Sequence, residues 1–170
     1  MKLLQGKNFG VINLNDIATE NNFILDFDKD RDTNIVDLVK INKFIENKYR
    51  DEKLVFIDGH LSHLLKIVDK IIILRCHPKE LKKRLSSKNW KKEKIIENLQ
   101  AEILDIILIE TLEKHPEKNI FEIDTTNKEI KEIFENIIQI IENGFKPVKK
   151  YKAGKLDWSE EIIKDQDMWQ

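Results

Sequence analysis

Asp58 closes the apolar run Leu54-Val55-Phe56-Ile57-Asp58, and a carboxylate at the end of such a run can do chemistry. In open α/β sheets ligands bind at the carboxyl edge of the strands. A carboxylate there can hold Mg²⁺ directly or through water, as in nucleotide-binding α/β proteins. On the residues alone, Asp58-Gly59 after a strand is more often a plain turn. His60 and His63 follow in Gly59-His60-Leu61-Ser62-His63. Zinc would need further ligands, and His77 and His115 lie far along the chain. His60 is therefore read as a polar group beside phosphate or water, or as a turn cap. Arg75 ends the run Ile71-Ile72-Ile73-Leu74-Arg75 at the same expected edge. Its planar fork suits phosphate oxygens, although it suits a neighbouring acid as well. Arg31 has Asp28 and Asp32 close by, and Lys88, Lys91, Lys92 and Lys94 surround Trp90. That basic patch reads as an anion contact or as a solvated helix start.

The elements that must position these groups follow from hydrophobic patterning. Four β-rich runs, 10–14, 54–58, 71–75 and 120–123, are apolar almost throughout, which predicts strands buried on both faces of a parallel sheet. Helical periodicity separates them. Residues 37–49 place Leu38, Ile41, Phe44 and Ile45 on one face. A helix is predicted after Pro78, a mostly buried one over 92–114, and another over 128–143 with Gly144 as a left-handed cap. Strands alternating with helices predict an α/β fold with crossover connections. Two segments break the pattern: the acidic stretch 18–34, and the basic turn 86–94. From Lys146 onward the chain is Lys-rich, carries Trp158 and Trp169, and reads as a mobile, solvated tail.

The bulk numbers bound the reading. With 170 residues, 41% hydrophobic and 36% charged, the chain is globular and close to one domain in size. Its 30 basic and 31 acidic residues nearly cancel, so no global field draws it to nucleic acid or an anionic membrane, and any anion site is local. No apolar run approaches the roughly 20 residues that cross a bilayer. Cys76 is the only cysteine, which rules out an intramolecular disulfide and fits a reducing cytoplasm.

Taken in order, Asn13-Leu14-Asn15-Asp16, Asp28-Lys29-Asp30-Arg31-Asp32, Ile57-Asp58-Gly59-His60-Leu61-Ser62-His63, Leu74-Arg75-Cys76, Arg84-Leu85, Trp90 with Lys94, Ala101-Glu102, Asp105, Ile123-Asp124-Thr125-Thr126 and Gly154-Lys155-Leu156-Asp157-Trp158-Ser159-Glu160 resemble the adenylate kinase isoenzyme 6 family. The resemblance covers nearly the whole chain. It implies an α/β fold of the adenylate-kinase-like P-loop NTPase type, a three-layer parallel sheet with flanking helices. The core would be 1–145, with a monophosphate-binding insertion at 13–36 and a lid at 87–97, followed by a tail at 146–170. It implies transfer of the ATP γ-phosphoryl group to AMP with Mg²⁺ as cofactor, slow ATP hydrolysis, and a role in small ribosomal subunit maturation. Asp58, which would hold Mg²⁺, His60 and Arg75 would be catalytic. Asn13, Asp16, Arg31, Lys88, Thr125, Thr126 and Lys128 would bind nucleotide. The family has arginine where Lys88 stands, and lysine lacks the planar fork. Expected partners are ATP, AMP, a small-subunit ribosomal protein and pre-ribosomal RNA, with no membrane.

The family also opens with a strand and a Gly-x-Pro-Gly-x-Gly-Lys-Thr loop, and no Gly-x-x-x-x-Gly-Lys-Ser/Thr occurs in these residues. Such a loop supplies phosphate-binding N–H groups, a lysine and a Mg²⁺-binding hydroxyl. The expectation is that Met1 is an internal methionine of a longer reading frame. The alternative is a catalytically inactive homologue acting as a ribosome-assembly binding protein.

Overall fold

The computed structural model describes residues 2–161 other than 8, 30, 32 and 89. The sequence-assigned Asp30, Asp32, Asn89 and Trp169 lie outside the described residues. The chain divides into two units, Met1–Val68 and Asp69–Gln170. Parallel strands flanked by helices appear in both, the mixed α/β architecture expected.

The first unit runs α1 (Lys2–Gln5), β1 (Gly10–Asn13), α2 (Leu14–Glu20), β2 (Ile24–Asp28), β3 (Thr33–Val36), α3 (Leu38–Tyr49) and β4 (Val55–Asp58). β1 and β4 pair in parallel, with Asn13 opposite Asp58 at the end of the ladder. A parallel pair needs a crossover, and α2, the antiparallel β2–β3 hairpin and α3 make up the intervening chain. The stretch 18–34, read from sequence only as an excursion, thus contains the end of α2 and most of this hairpin. The core forms where Ile12 of β1 and Leu14, Ile17 and Ala18 of α2 meet Ile41 and Ile45 of α3 and Leu65. Asp37 starts α3 by accepting the Lys40 N–H at 3.0 Å, satisfying one of the orphan donors of the first turn.

The second unit runs β5 (Ile71–Arg75), α4 (Pro78–Ser86), α5 (Lys92–Ile103), α6 (Ile106–Lys114), β6 (Ile120–Asp124) and α7 (Ile130–Glu142). β5 and β6 are parallel, from Ile71 opposite Ile120 to Arg75 opposite Asp124. Pro78 at the first position of α4, after the His77 cap, is favourable because its missing N–H would have no intrahelical partner. Gly144 closes α7 with φ +65°, the left-handed cap predicted.

Three expectations need correction. The helix predicted over 92–114 is two helices, because Asp105 adopts a left-handed conformation, φ 55°, between α5 and α6. Asp tolerates that region better than most residues. Nor is this segment mostly buried: Ile106, Ile107, Ile109 and Leu112 of α6 are exposed. Burial on both faces holds for β6, whose Ile120–Ile123 stretch is wholly buried, but β4 mixes half-buried residues with the exposed Asp58, and β1 buries only Ile12. Finally, the described part of the tail is packed. Tyr151 and Ala153 are buried, Lys152 bridges to Phe121 of β6, and the Tyr151 hydroxyl lies 2.8 Å from Asn136 Oδ1 and 2.7 Å from Gln139 Oε1 on α7. Aromatic bulk and a satisfied hydroxyl hold Tyr151 in place, and Lys150 Nζ joins it by donating to the same Asn136 Oδ1 at 2.7 Å. No described helix is long and apolar enough to cross a membrane.

Candidate active site

At the carboxyl edge of the first unit's sheet, parallel pairing puts the ends of β1 and β4 side by side. Asp58, exposed, sits opposite Asn13. The Asn13 side chain is already engaged: its Oδ1 accepts the Asn15 and Asp16 N–H groups at 2.9 and 3.2 Å and caps α2. Asp16 is exposed in the first turn of that helix. The glycine after Asp58 has a packing reason beyond the turn. A Cβ on Gly59 would fall 2.8 Å from Leu14 Cβ, so only glycine lets the chain leave β4 this close to α2. His60 is exposed just beyond, whereas His63 is buried in the 3-10 turn Ser62–Leu64. Arg31 lies by the hairpin turn, its N–H donating to Asp28 Oδ1 at 3.0 Å and its guanidinium 3.6 Å from Asp28 Oδ2. The local Asp28 partner was one of its two sequence readings.

In the second unit, Arg75 does not offer an open fork to solvent. It is 2% exposed. Its Nε donates to Glu102 Oε1 at 2.8 Å and Nη1 to Glu122 Oε1 at 2.5 Å. Nη2 donates to the Glu102 carbonyl at 3.1 Å and to Asp105. The left-handed turn at Asp105 brings that carboxylate to the arginine. Burial works against the Arg75 charge, but Glu102, Glu122 and Asp105 outweigh it and hold the guanidinium above its ordinary range. Burial also pushes the Glu102 carboxyl up, and Arg75, the Cys76 N–H and the Trp158 N–H offset this only in part. Among the described residues one cation faces three carboxylates, and burial is what favours the protonated form of Glu102. The acid partner that the sequence left open for Arg75 is thus three acids.

Beyond the end of β6, Thr125 is buried and fully used. Its N–H and hydroxyl both donate to the Arg75 carbonyl at 2.8 Å, and Arg84 of α4 reaches its hydroxyl at 3.3 Å and its carbonyl at 2.8 Å. Thr126 Oγ1 accepts the His77 N–H at 2.8 Å. Lys128 pairs with Glu132, which raises its ammonium above the ordinary value. Lys88 is exposed, its Nζ 5.0 Å from the centre of the Trp90 ring, where Lys94 Nζ also sits at 5.0 Å. A cleft bounded by Ile120, Phe121, Val148 and Tyr151 lies at the opposite end of β6 from Thr125.

The structure therefore gathers Asn13, Asp16, Asp58 and His60 near one strand edge, and Arg75, Thr125 and Thr126 near another. Arg84, Glu122 and Trp158 were not singled out as site residues. Glu122 was detectable, since an acid inside the apolar run Ile120-Phe121-Glu122-Ile123 must find a partner when buried. Arg84 and Trp158 carry no such local signal.

Among the described residues no group of three or more His, Cys, Asp or Glu is arranged to hold a metal. A Mg²⁺ that keeps several waters and takes its remaining oxygens from substrate phosphates needs one or two carboxylates. The exposed Asp58 fits that requirement.

Comparison with known proteins places the chain. The AAA domain family matches residues 1–105. A Methanocaldococcus jannaschii protein named "Putative adenylate kinase" is 38% identical over 90% of this chain and 80% of its own length. Proteins of the same name from Pyrococcus abyssi and Methanosarcina barkeri are 41% and 36% identical, covering 94% and 92% of this chain and 83% and 88% of theirs. The chain belongs to this archaeal family of adenylate kinase homologues.

Proposed function

We propose that the protein is an adenylate kinase that transfers the γ-phosphoryl group of ATP to AMP, giving two ADP. The observation that carries this reading is the exposed Asp58 closing β4 beside Asn13 at the end of β1, in a chain whose relatives bear that name. Phosphoryl transfer asks little covalent chemistry of a protein and much alignment and charge neutralisation. Asp58 would hold Mg²⁺, which when bound neutralises phosphate charge. His60 orients phosphate or water. Asn13, Asp16 and Arg31 serve the monophosphate, Arg31 swinging from Asp28. Lys88 and the turn around Trp90 act as the lid over ATP, and Thr125, Thr126 and Lys128 lie by the adenine. Arg75 supports this edge from beneath, through the Thr125 contacts to its carbonyl. The test is ADP formation from MgATP and AMP by the protein expressed from its full reading frame. Failure to form ADP sinks the reading.

A second reading, as a catalytically inactive binding protein in ribosome assembly, is favoured by the exposed Lys146, Lys149 and Lys152. Retention of a small-subunit ribosomal protein in a pull-down, lost on replacing these lysines with glutamate, would support it. No retention would remove it.

A further inference from the structure

The packed segment 149–161 ends on the helix pair that carries the basic turn. Trp158 packs on the Leu99 and Ile103 cluster of α5, which Leu81 of α4 and Ile95 of α5 also join. Its indole N–H donates to Glu102 Oε1 at 3.0 Å. Its ring meets that of His77, the cap residue of α4, edge-on with centroids 5.0 Å apart. Three residues later Glu161 lies 3.7 Å from His77 Nε2 and 3.6 Å from Lys79 Nζ. His77 Nδ1 accepts the Lys79 N–H at 3.2 Å, so a neutral imidazole carries its proton on Nε2, towards Glu161.

These contacts share one location. His77, Lys79 and Leu81 belong to the start of α4, and Leu99, Glu102 and Ile103 to the end of α5. The turn bearing Lys88 and Trp90 joins the other ends of the same two helices. At 1.5 Å per residue α5 is about 18 Å long, so a tilt of about 10° at its base carries its tip about 3 Å, enough to remove an ammonium from a phosphate.

We propose that Trp158 is a positioning residue for the basic turn: with Glu161 it locks the base of the α4–α5 pair, so that Lys88 and Lys94 are presented to the phosphates of a nucleoside triphosphate at a defined place. This rests on the reading of that turn as the lid over ATP. The device acts through the helices, and Trp158 itself need touch no substrate.

The experiment compares Trp158→Ala, Trp158→Phe and Glu161→Gln in the full protein. Trp158→Phe keeps an aromatic ring in the cluster and removes the indole N–H. Trp158→Ala is expected to raise KM for ATP about tenfold while KM for AMP stays within about twofold, because a displaced lid misplaces only one substrate. Amides 92–97 at the start of α5 should exchange with solvent about tenfold faster, as the freed base lets the helix open locally. Trp158→Phe and Glu161→Gln should fall between this variant and wild type. A purely structural tryptophan would lower the unfolding midpoint yet leave KM for ATP and exchange at 92–97 unchanged, and that result overturns the proposal. If Trp158→Ala does not fold, the two milder variants decide by the same readouts. If the wild-type protein makes no ADP, the kinase reading falls by itself, and faster or unchanged exchange at 92–97 still supports or overturns the lock.

Discussion

Arg75 Nη1 donates to Glu122 Oε1 at 2.5 Å, and both side chains are 2% exposed. Among the described residues Arg75 is the one cation of a cluster that also holds Glu102 and Asp105. Removing it strands buried carboxylates. Arg75→Ala should cost about 3–5 kcal/mol, the range for breaking a buried pair from one side, read from the urea midpoint. Glu122→Gln keeps an acceptor and should cost less.

The same cluster sets a pH dependence. Burial raises the folded Glu102 carboxyl above its ordinary value of 4.5. A group raised on folding contributes stability fully below its unfolded value and loses it as pH climbs through the folded value. Relative to Glu102→Gln, which does not titrate, wild type should therefore gain thermal stability as pH falls from 7 towards 4.5. Melting both proteins across that interval checks the sign.

Gly59→Ala places a Cβ 2.8 Å from Leu14 Cβ, inside a core where Leu14 is fully buried. Overpacking of this kind costs about 1–3 kcal/mol. Because Gly59 follows Asp58, the strain should also displace the exposed carboxylate. The variant is expected to be less stable by calorimetry and to make ADP more slowly.

Cys76 is buried, and burial pushes its thiol up, with Arg84 opposing only in part. The thiolate is the reactive species. Alkylation by iodoacetamide at pH 8 should be slow in the folded protein and fast in urea.

For the proposed kinase reaction, Asp58→Asn keeps size and hydrogen bonding but removes the charge. A loss of about 100-fold or more in kcat is expected, the scale for deleting one group that stabilises transition-state charge. Unfolding midpoints should change little, since Asp58 is exposed.

Residues whose signal is local could be read from the sequence. β5 has the bounds predicted, and β1, β4 and β6 differ by one residue at an end, because short apolar runs between turn residues have few other ways to bury themselves. Asp58 was legible as a strand-end acid for the same reason. The break at Asp105 was not, because Ile103, Ile106 and Ile107 continue the helical period across it. What bends the chain there is a carboxylate reaching an arginine thirty residues earlier.

The sequence by itself determined the class of fold, the order of the four parallel strands with the helices α3, α4 and α7, and the family, since these follow from hydrophobic period and from motifs readable in one dimension. Only the tertiary structure decided that Arg75 is enclosed by Glu102, Asp105 and Glu122, that Thr125 is held by Arg84, and that Trp158 ties residues 155–161 to α5. A buried charge or indole N–H must be satisfied. Nothing in the chain order says which distant partner satisfies it until packing brings one within 3 Å or so.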